Sequence, residues 1–447
     1  MSEAKEFRPP TGLEGIAERL EAEGYEAWAV GGAIRDAIRG QPRGDWDLAT
    51  DARPEQVREL FRRTVPLGLE HGTVGVFGHD DVLYEVTTFR QDVETDGRHA
   101  VVEFASDLEE DLARRDFTIN AIAWHPVRGQ ILDPFGGAAD LDSGVLRTVG
   151  NPRARFSEDY LRVLRALRFA GRFHLSIEDE TWQALCRAVS GLHVLSRERV
   201  REEILKVVSG ADRPSAALSL MAASGVLQEI VPELAGAVEE GHCWSLGLLI
   251  ADQLPPSRPL LRLVAVLRLS DSGEASEEAS AGVAAARLLE RLRFSRAEVR
   301  EIGGLVEASE FPTPPPDDPT EVRRWCARVG RARLPDTLRL LAAEARITGV
   351  DGFPCPGANA GPERIARLAR AARSAAQSGV PLAVGELAVD GRYLIRRGVR
   401  PGPAFGKILD HLLDRVLADP SQNQPETLAS IAVELSHQED LGEDEGR

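Results

Sequence analysis

The chain has 447 residues, of which 43% are hydrophobic and 28% charged, and this composition excludes a disordered, collagenous or coiled-coil protein. Its 54 basic and 71 acidic residues give a net charge of −17, which as an average argues against a nucleic-acid partner. The four cysteines lie far apart without a CxxC pair, so they predict neither a zinc site nor a disulfide framework. No apolar run approaches the roughly 20 residues of a membrane span and no signal-peptide core is present, so we expect a soluble, cytoplasmic protein.

The first third of the chain has the pattern of a mixed domain, and the remainder has the period of helices. A helical pattern is followed by short runs rich in β-forming residues at 27–30, 46–50, 73–77 and 82–88. From Phe156 onward nearly every segment has helical period, apart from an acidic stretch at 271–282 and a proline-dense stretch at 311–320. We therefore predict the α+β fold class, with a sheet-containing domain before a long helical body.

A glycine pair follows the first predicted strand, in the sequence VGGAIRD at residues 30–36. Gly31 and Gly32 would let backbone N–H groups approach an anion closely, and the N-terminus of the next helix would add its dipole. Arg35 would lie one turn into that helix, where it could reach a phosphate. An ordinary strand–turn–helix connection, in which the glycines serve only the turn, is the alternative.

Two aspartates follow about ten residues later, in GDWDLAT. Residues two apart in a strand point to the same face, so Asp45 and Asp47 would present parallel carboxylates. A hard divalent cation such as Mg²⁺ would remove their repulsion and could bridge the phosphates of a nucleotide. Glu85, in the later run LYEVTTFR, is either a third metal-facing carboxylate for phosphoryl transfer or a solvated outward residue.

The segment RRDFTINAIA at 114–123 is the predicted start of a helix, with Asp116 as its N-cap. One of the two arginines, Arg114 or Arg115, could neutralise the charge of a triphosphate. A purely structural pairing between arginine and aspartate is the alternative.

The chain carries, in this order, the motifs GGAIRD, DWD, TTFRQD, RRDFTINAIA, LDPFGG and EDYLRVLRALRFAGRF. They resemble those of the class II tRNA nucleotidyltransferases, which are the CCA-adding enzymes and bacterial poly(A) polymerases of the polymerase-β superfamily. The likeness is dense over 25–210, thin afterwards, and returns at 391–409. It implies a polymerase-β-type nucleotidyltransferase head followed by an all-helical neck, body and tail, with Mg²⁺ on the two aspartates.

The resemblance suggests a division of the chain into five parts. These are the head at 11–150, the neck at 151–210, the body at 211–310, a tRNA-binding tail at 320–436 and a disordered acidic tail at 437–447. The body resembles a degenerate HD phosphohydrolase module, because Arg268 and Leu269 stand where His-Asp is usual. We therefore expect no hydrolase metal centre there. In the tail, Tyr393 stands where related chains carry an acid.

The predicted neck helix carries the residues that could distinguish one base from another. Leucines would face the core, and a polar stripe would consist of Asp159, Arg162, Arg165 and Arg168. A carboxylate only accepts hydrogen bonds and a guanidinium only donates them, so Asp159 and Arg162 together match the Watson–Crick edge of cytosine or adenine and mismatch uracil and guanine. The resemblance assigns base recognition to the same two positions, and a surface ion pair is the alternative. Arg165 and Arg168 would serve the triphosphate or steady the pocket.

Two further segments resemble parts of this family. The stretch at 90–104 matches a mobile loop that helps the switch from C to A, and it carries Arg90, Asp92, Arg98 and His99. The stretch SRERVREEI resembles a neck motif behind the base pocket, which makes Glu198 and Arg199 candidates for its support. A solvated helix face explains these two residues nearly as well.

The resemblance predicts template-independent addition of C, C and A to tRNA 3′ ends from CTP and ATP, with Asp45 and Asp47 holding Mg²⁺ and Gly32, Arg35 and Arg115 cradling the triphosphate. Two stretches, 147–172 and 391–409, each have a local charge of +5 and would contact the acceptor stem and elbow of tRNA. Alternatives within the enzyme class are an A-adding enzyme and a poly(A) polymerase. A catalytically inactive RNA-binding protein is the alternative outside it. The oligomeric state is not readable from the sequence.

Overall fold

The structure is a computed structural model that describes residues 9–41, 46–68, 72–95, 100–105, 107–210, 212–268, 280–348, 361–402 and 404–444. The chain divides into two compact units, residues 1–232 and 233–447. The first unit contains the sheet and the second is helical, so the predicted α+β fold class is confirmed. The finer division into head, neck, body and tail stays a prediction. Among the described residues, no helix is both long enough and apolar enough to cross a bilayer.

The strands of the first unit are β1 (Ala27–Val30), β2 (Asp47–Thr50), β3 (Thr64–Gly68), β4 (Thr73–Phe77), β5 (Leu83–Thr88), β6 (Arg90–Thr95), β7 (Ala100–Phe104), β8 (Ala123–Trp124), β9 (Ile131–Leu132), β10 (Val145–Leu146) and β11 (Ser176–Ile177). Its helices are α1 (Thr11–Ala22), α2 (Gly32–Ile38), α3 (Pro54–Leu60), α4 (Leu108–Ala113), α5 (Gly137–Ser143), α6 (Pro152–Glu158), α7 (Leu161–Phe173), α8 (Asp179–Ala188), α9 (Arg197–Gly210), α10 (Pro214–Ala223) and α11 (Val226–Ile230).

The main sheet of the first unit has seven strands in the order β3-β4-β5-β2-β1-β8-β9. Strands β2 and β5 are parallel, and the other neighbouring pairs are antiparallel. Helix α1 covers one face because its apolar residues recur at helical spacing, with Leu13, Ile16 and Leu20 buried. They pack with Leu48 and Val86 of the central strands. This arrangement leaves the opposite face of β2 and β5 for polar side chains.

In the segment at 90–104, which the sequence predicts to be a loop, the described residues form strands β6 and β7, which pair antiparallel. A loop was expected because the segment is polar and contains Gly97. Val101 and Val102 are β-branched residues that favour an extended backbone, which is consistent with the strand at this position. Residues 96–99, including Arg98 and His99, lie outside the described part of the chain.

The second unit is built from helices α12 (Ala235–Glu240), α13 (His242–Gln253), α14 (Pro259–Leu267), α15 (Ala281–Arg291), α16 (Arg296–Glu310), α17 (Pro319–Val329), α18 (Leu334–Thr348), α19 (Pro362–Gln377), α20 (Gly391–Arg396), α21 (Ala404–Ala418) and α22 (Pro425–Asp444). Arg268, at the degenerate HD position, pairs with Glu344 of α18 at 2.9 Å, whereas Leu269 lies outside the described residues. Arg268 therefore takes part in an ion pair that links the end of α14 to α18.

The stretch 437–447, for which the sequence predicts a disordered acidic tail, contains the end of α22, which continues to Asp444. Extending an existing helix costs little, and Gln, Glu and Leu in this segment are good helix formers. Residues 445–447 lie outside the described part of the chain.

Gly171 on α7 allows a close approach to α10. A Cβ atom at this position would lie 2.4 Å from the backbone nitrogen of Ala217 and 2.5 Å from its Cα. We expect Gly171→Ala to lower the free energy of unfolding by about 2 kcal/mol, because overpacking against backbone outweighs the higher helix propensity of alanine. Urea unfolding followed by circular dichroism measures this.

Gly406 on α21 provides the matched control for this substitution. Its added Cβ would meet no atom within 4 Å in the described part of the structure. Gly406→Ala should therefore leave stability equal or raise it by up to about 1 kcal/mol. Equal stabilities of the two variants would show that the α7–α10 contact does not need a glycine.

Candidate active site

A single cleft of about 600 Å³ in the first unit brings together most of the side chains that the sequence singles out. The predicted residues that line it are Gly31, Gly32, Arg35, Asp47, Glu85, Arg90, Arg114, Arg115, Asp116, Asp159, Arg162, Arg165 and Arg199. Asp45 and Arg98 lie outside the described residues, and Asp92 is described only as part of the β6 backbone. Arg168 is not among the residues that line the cleft.

The carboxylates of Asp47 and Glu85 lie on adjacent strands. Strands β2 and β5 are parallel, and the register pairs Asp47 directly with Glu85. Paired residues of neighbouring strands point to the same side of the sheet, about 5 Å apart. Both residues line the cleft, and Glu85 is exposed to it. The register thus puts Glu85 beside Asp47 in the cleft, and its role as a third metal-facing carboxylate stays a prediction.

The residues present fit a hard divalent cation. Asp47 and Glu85 offer only oxygen donors, as Mg²⁺ prefers, and Asp45 lies two positions before Asp47 in the sequence. Within the described ranges, no group of three His, Cys, Asp or Glu side chains is already arranged to hold a metal ion. Asp47 and Glu85 could therefore hold Mg²⁺ together with ligands from substrate or water.

The glycine turn lies directly beside this carboxylate pair. Gly31 has a φ of +80°, a left-handed conformation that a side chain would strain. A Cβ atom there would lie 3.5 Å from Arg115 Nη1 and 3.9 Å from Asp47 Oδ2. Bare backbone, a guanidinium and a carboxylate thus meet at one point, and the missing side chain lets a phosphate group approach the backbone there.

Arg35 is more deeply embedded than the sequence predicts. Its guanidinium is buried, donates to Asp36 Oδ1 at 2.9 Å and to Asn120 Oδ1 at 2.7 Å, and lies 4.4 Å from the centre of the Phe173 ring. Burial lowers the pKa of Arg35 below its usual value, although Asp36 opposes this. Its Nη2 atom would be 3.3 Å from a Cβ on Gly32, so one edge of the guanidinium faces the glycine turn.

The guanidinium of Arg115 is held by two neighbouring residues. Its Nη2 donates to Asp111 Oδ2 at 3.0 Å and its Nη1 to the carbonyl of Asn120 at 3.3 Å. Among the described residues, nothing accepts from its buried Nε. An unsatisfied buried donor costs about 1–3 kcal/mol. The Nη1 atom, which lies beside Gly31, is the donor of this guanidinium that a phosphate in the cleft could reach.

Asp116 does not cap an α-helix, and that part of the sequence prediction is wrong. It is buried and accepts from Arg165 Nε at 2.7 Å, from Asn120 Nδ2 at 2.9 Å and from the Phe117 backbone at 2.9 Å. Only a 3-10 turn, Thr118–Asn120, follows it. Burial alone would raise the pKa of Asp116, but the ion pair with Arg165 holds it below its usual value. Arg165 is therefore oriented by this ion pair at the wall of the cleft.

Arg168 is held in the interior rather than in the cleft. It is buried, it donates to Glu203 Oε2 at 2.6 Å, and its guanidinium lies 4.2 Å from the centre of the Phe169 ring. Arg168 lies three positions after Arg165 on α7, which turns its side chain by about 60° around the helix axis relative to that of Arg165. Of the two predicted roles, this placement favours steadying the pocket.

The predicted continuous neck helix is broken at Asp159. Helix α6 ends at Glu158, Asp159 is extended with φ −153° and ψ 106°, and α7 begins at Leu161. The Asp159 carboxylate accepts from the Leu161 N–H at 3.0 Å, a local bond that competes with helical continuation. Asp159 and Arg162 still line the same cleft.

Both of these residues are oriented by neighbours. Arg199 of α9 donates from Nη2 to Asp159 Oδ2 at 2.7 Å, so the candidate support residue does reach the pocket. Arg162 pairs with Glu158 and donates to the carbonyls of Arg155 at 3.0 Å and Arg114 at 3.2 Å. An acceptor and a donor are thereby held in fixed orientations in the cleft that also contains the glycine turn.

Comparison with known proteins identifies the family. Residues 27–147 match the poly A polymerase head domain, and residues 174–237 match a family described as "Probable RNA and SrmB- binding site of polymerase A". The CCA-adding enzyme of Lactobacillus delbrueckii subsp. bulgaricus is 32% identical over 435 residues, covering 93% of this chain and 96% of that enzyme. The chain belongs to the CCA-adding enzyme family. The predicted resemblance to class II CCA-adding enzymes of the polymerase-β superfamily is thus confirmed.

Other CCA-adding enzymes agree with this assignment. The one from Lactiplantibacillus plantarum is 34% identical over 423 residues, which are 93% of this chain and 94% of that enzyme. A crystal structure of the Bacillus stearothermophilus CCA-adding enzyme in complex with CTP has 32% sequence identity and a TM-score of 0.74. The match covers 98% of this chain and 100% of that one.

Sequence reasoning missed two residues that organise the site of this CCA-adding family member. Asp111 is buried and accepts from Arg114 at 3.1 Å, from Arg115 at 3.0 Å and from the Arg90 backbone at 3.3 Å. Its spacing of four residues before Arg115 was a readable signal for a helical ion pair. Asn120, which links Arg35 to Asp116, carried no such signal.

Three buried carboxylates make the free energy of unfolding depend on pH. Burial alone would raise the pKa values of Asp111, Asp116 and Glu203, but their arginine partners hold all three below the usual range. The folded state therefore binds these protons less readily than the unfolded chain, and the stabilisation is present above about pH 4 and lost as pH falls. We expect the free energy of unfolding in urea to decrease between pH 5 and pH 3.

Two variants test the source of this acid sensitivity. Asp116→Asn should be less stable than wild type at pH 7 and should show a shallower dependence on pH below 5, because one titrating group is gone. Asp142→Asn removes an exposed carboxyl on α5 and should keep the wild-type profile. A wild-type profile in Asp116→Asn would contradict the assignment.

Proposed function

We propose that this chain adds C, C and A without a template to the 3′ end of tRNA, using CTP and ATP and releasing pyrophosphate. The observation that carries this proposal is the single cleft that joins the Asp47–Glu85 carboxylates to the Asp159–Arg162 pair in a member of the CCA-adding family. Since the substrates are tRNA and nucleoside triphosphates, we place the activity in the cytoplasm.

In the proposed reaction, the terminal 3′ oxygen of the RNA forms a bond to the α-phosphorus in line with the leaving group. The bond from that phosphorus to the bridging oxygen breaks, pyrophosphate leaves, and the hydroxyl proton is lost to solvent. Asp47 and Glu85, with Asp45, would hold Mg²⁺, which lowers the pKa of the attacking hydroxyl and balances charge on the leaving oxygens. The Gly31 and Gly32 backbone and the Arg115 guanidinium, whose Nη1 lies beside the glycine turn, bind the triphosphate.

The choice of nucleotide depends on the hydrogen bonds that the cleft can make with the base. The Asp159 carboxylate accepts from the exocyclic amino group of cytosine or adenine, and Arg162 donates to the neighbouring ring nitrogen. Uracil and guanine instead present a carbonyl oxygen to the Asp159 carboxylate and an N–H to the Arg162 guanidinium. An acceptor would then face an acceptor and a donor would face a donor, at a cost of about 1–3 kcal/mol for each contact. Arg199 and Glu158 keep the two side chains in position.

Contacts to tRNA are proposed for the two stretches of high positive charge. Arg153 and Arg172 of the stretch at 147–172 are exposed, as are Arg392 and Arg400 of the stretch at 391–409. Such side chains recognise phosphates and shape rather than sequence, as is expected for an A-form stem. Because the whole chain has a net charge of −17, these two stretches are positively charged regions in an otherwise acidic protein.

The deciding experiment uses three tRNA substrates, one lacking CCA, one ending in C and one ending in CC, each with a single nucleoside triphosphate. The proposal predicts CTP incorporation into the first two and ATP incorporation into the third, with addition ending after A. Incorporation of ATP alone into the CC substrate would identify an A-adding enzyme. Long A tails would identify a poly(A) polymerase, and no incorporation with intact tRNA binding would identify an inactive RNA-binding protein.

A further inference from the structure

The cleft-side face of the main sheet continues beyond the carboxylates as an open apolar surface. Leu83 lies two residues before Glu85 on β5, so both point to the same side. Leu83 is 40% exposed, and Leu67 on the edge strand β3 is 43% exposed. Between them lies Gly75 of β4, which the register pairs with Glu85 on one side and Val65 on the other.

The two leucines converge over this glycine. A Cβ atom at Gly75 would lie 2.9 Å from Leu67 Cδ1 and 3.0 Å from Leu83 Cδ1. Because glycine has no side chain, the leucine methyl groups lie close to the backbone of β4 and form one continuous patch. We call this patch, made of Leu67, Gly75 and Leu83, the leucine shelf. It borders Glu85 and therefore the catalytic cleft.

The shelf is not part of the folding core. The alternate residues of the same strands, Val74, Val76, Tyr84 and Val86, are buried on the opposite face of the sheet, with α1. Single exposed leucines are common on protein surfaces, whereas these two meet over a glycine and form one contiguous apolar patch on the sheet face.

The order of the strands indicates which molecule this is. Strand β2, with Asp47, lies between β1, which leads into the Gly31–Gly32 turn, and β5, which leads to the shelf. The triphosphate is on the β1 side, because the glycine turn and Arg115 are there. In-line transfer requires the attacking hydroxyl to approach from the side opposite to the leaving pyrophosphate. That side is β5 and the shelf.

From this juxtaposition we infer that the leucine shelf binds the 3′-terminal nucleoside of the RNA primer and so positions its 3′ hydroxyl beside Asp47 and Glu85. The inference rests on the proposed function. A terminal nucleoside has a flat base and a ribose face that pack well on an apolar surface, and such packing tolerates different bases. The shelf would therefore accept a primer that ends in the discriminator base, in C or in CC.

The test compares steady-state kinetics for addition of A to tRNA ending in CC. In the double variant Leu67→Ser/Leu83→Ser, the KM for the tRNA should rise about tenfold, as expected for loss of one apolar contact with a base, while the KM for ATP should stay within about twofold of wild type. The double variant Leu67→Met/Leu83→Met keeps an apolar surface and should retain a tRNA KM within about twofold of wild type. Ile131→Ser, at the far edge strand β9 and 50% exposed, removes a similar side chain outside the cleft and should leave both constants unchanged.

Three results would overturn the inference: an unchanged KM for tRNA in the serine double variant, an equal rise in KM for tRNA in Ile131→Ser, or an equal rise in the KM for ATP. Circular dichroism melting shows whether the serine variant is folded, and if it is not, the single variant Leu67→Ser is compared instead, with the same expectations in direction. Failure of the proposed function would be recognised separately, because wild type itself would then not extend the tRNA.

Discussion

Asp47→Ala should abolish nucleotide incorporation, with kcat reduced by about a thousandfold or more, while binding of tRNA is retained. The carboxylate is at the start of β2, opposite Glu85 in the register and beside the glycine turn. Without it, a metal ion bound to the phosphates would lose a protein ligand. Loss of a negative charge near RNA phosphates does not weaken their attraction to the protein. Single-turnover incorporation and a filter-binding assay measure the two effects.

Asp142→Ala is the matched control for this substitution, since it removes the same group from an exposed position on α5 outside the cleft. Its incorporation rate should be within about twofold of wild type, as is usual for surface substitutions. If Asp47→Ala were as active as Asp142→Ala, Asp47 would not be a metal ligand. A parallel loss of tRNA binding and incorporation would instead indicate a folding defect.

Arg162→Ala should blur the choice of nucleotide more than it weakens binding of RNA. We expect discrimination of CTP and ATP against UTP and GTP to fall by about ten- to a hundredfold, because one of two base contacts is lost. The measurement is the ratio of kcat/KM values for correct and incorrect nucleotides on tRNA ending in C or CC. The Asp159 contact remains in this variant, so some discrimination should persist.

Two further variants separate base reading from a structural role of Arg162. Arg172→Ala removes the same charge from an exposed position on α7 that does not line the cleft, and it should keep wild-type selectivity. Arg162→Lys keeps the charge but loses the planar donor edge, so selectivity should still decrease. Unchanged selectivity in Arg162→Ala with a normal melting temperature would move base recognition to other residues.

Local pattern predicted the strands that carry the chemistry. The predicted runs at 27–30, 46–50, 73–77 and 82–88 match β1, β2, β4 and β5 to within one residue at each end. Strand β3 was not predicted because Pro66 and Gly68 are unfavourable in strands, and it occurs at a sheet edge, where they are tolerated. Strands β8 and β9 have two residues each, too short for any period to show.

The ion pairs that orient the site lie beyond what sequence spacing can show. Arg165 and Asp116 are 49 positions apart, and Arg199 and Asp159 are 40 apart, so only the folded chain brings them together. The interruption of the neck helix at Asp159 was not predicted, for a different reason. The apolar period around Leu161 suggests one helix, whereas a local bond from its N–H to Asp159 ends the helical path there.

A crystal structure of this chain with Mn²⁺ and a non-hydrolysable CTP analogue tests the central claim most directly, because anomalous scattering locates the metal. We predict a manganese peak beside the Asp47 and Glu85 carboxylates, with the cytosine amino group at hydrogen-bond distance from Asp159 and its ring nitrogen facing Arg162. A metal bound away from Asp47, or a base edge that faces neither Asp159 nor Arg162, would contradict the account.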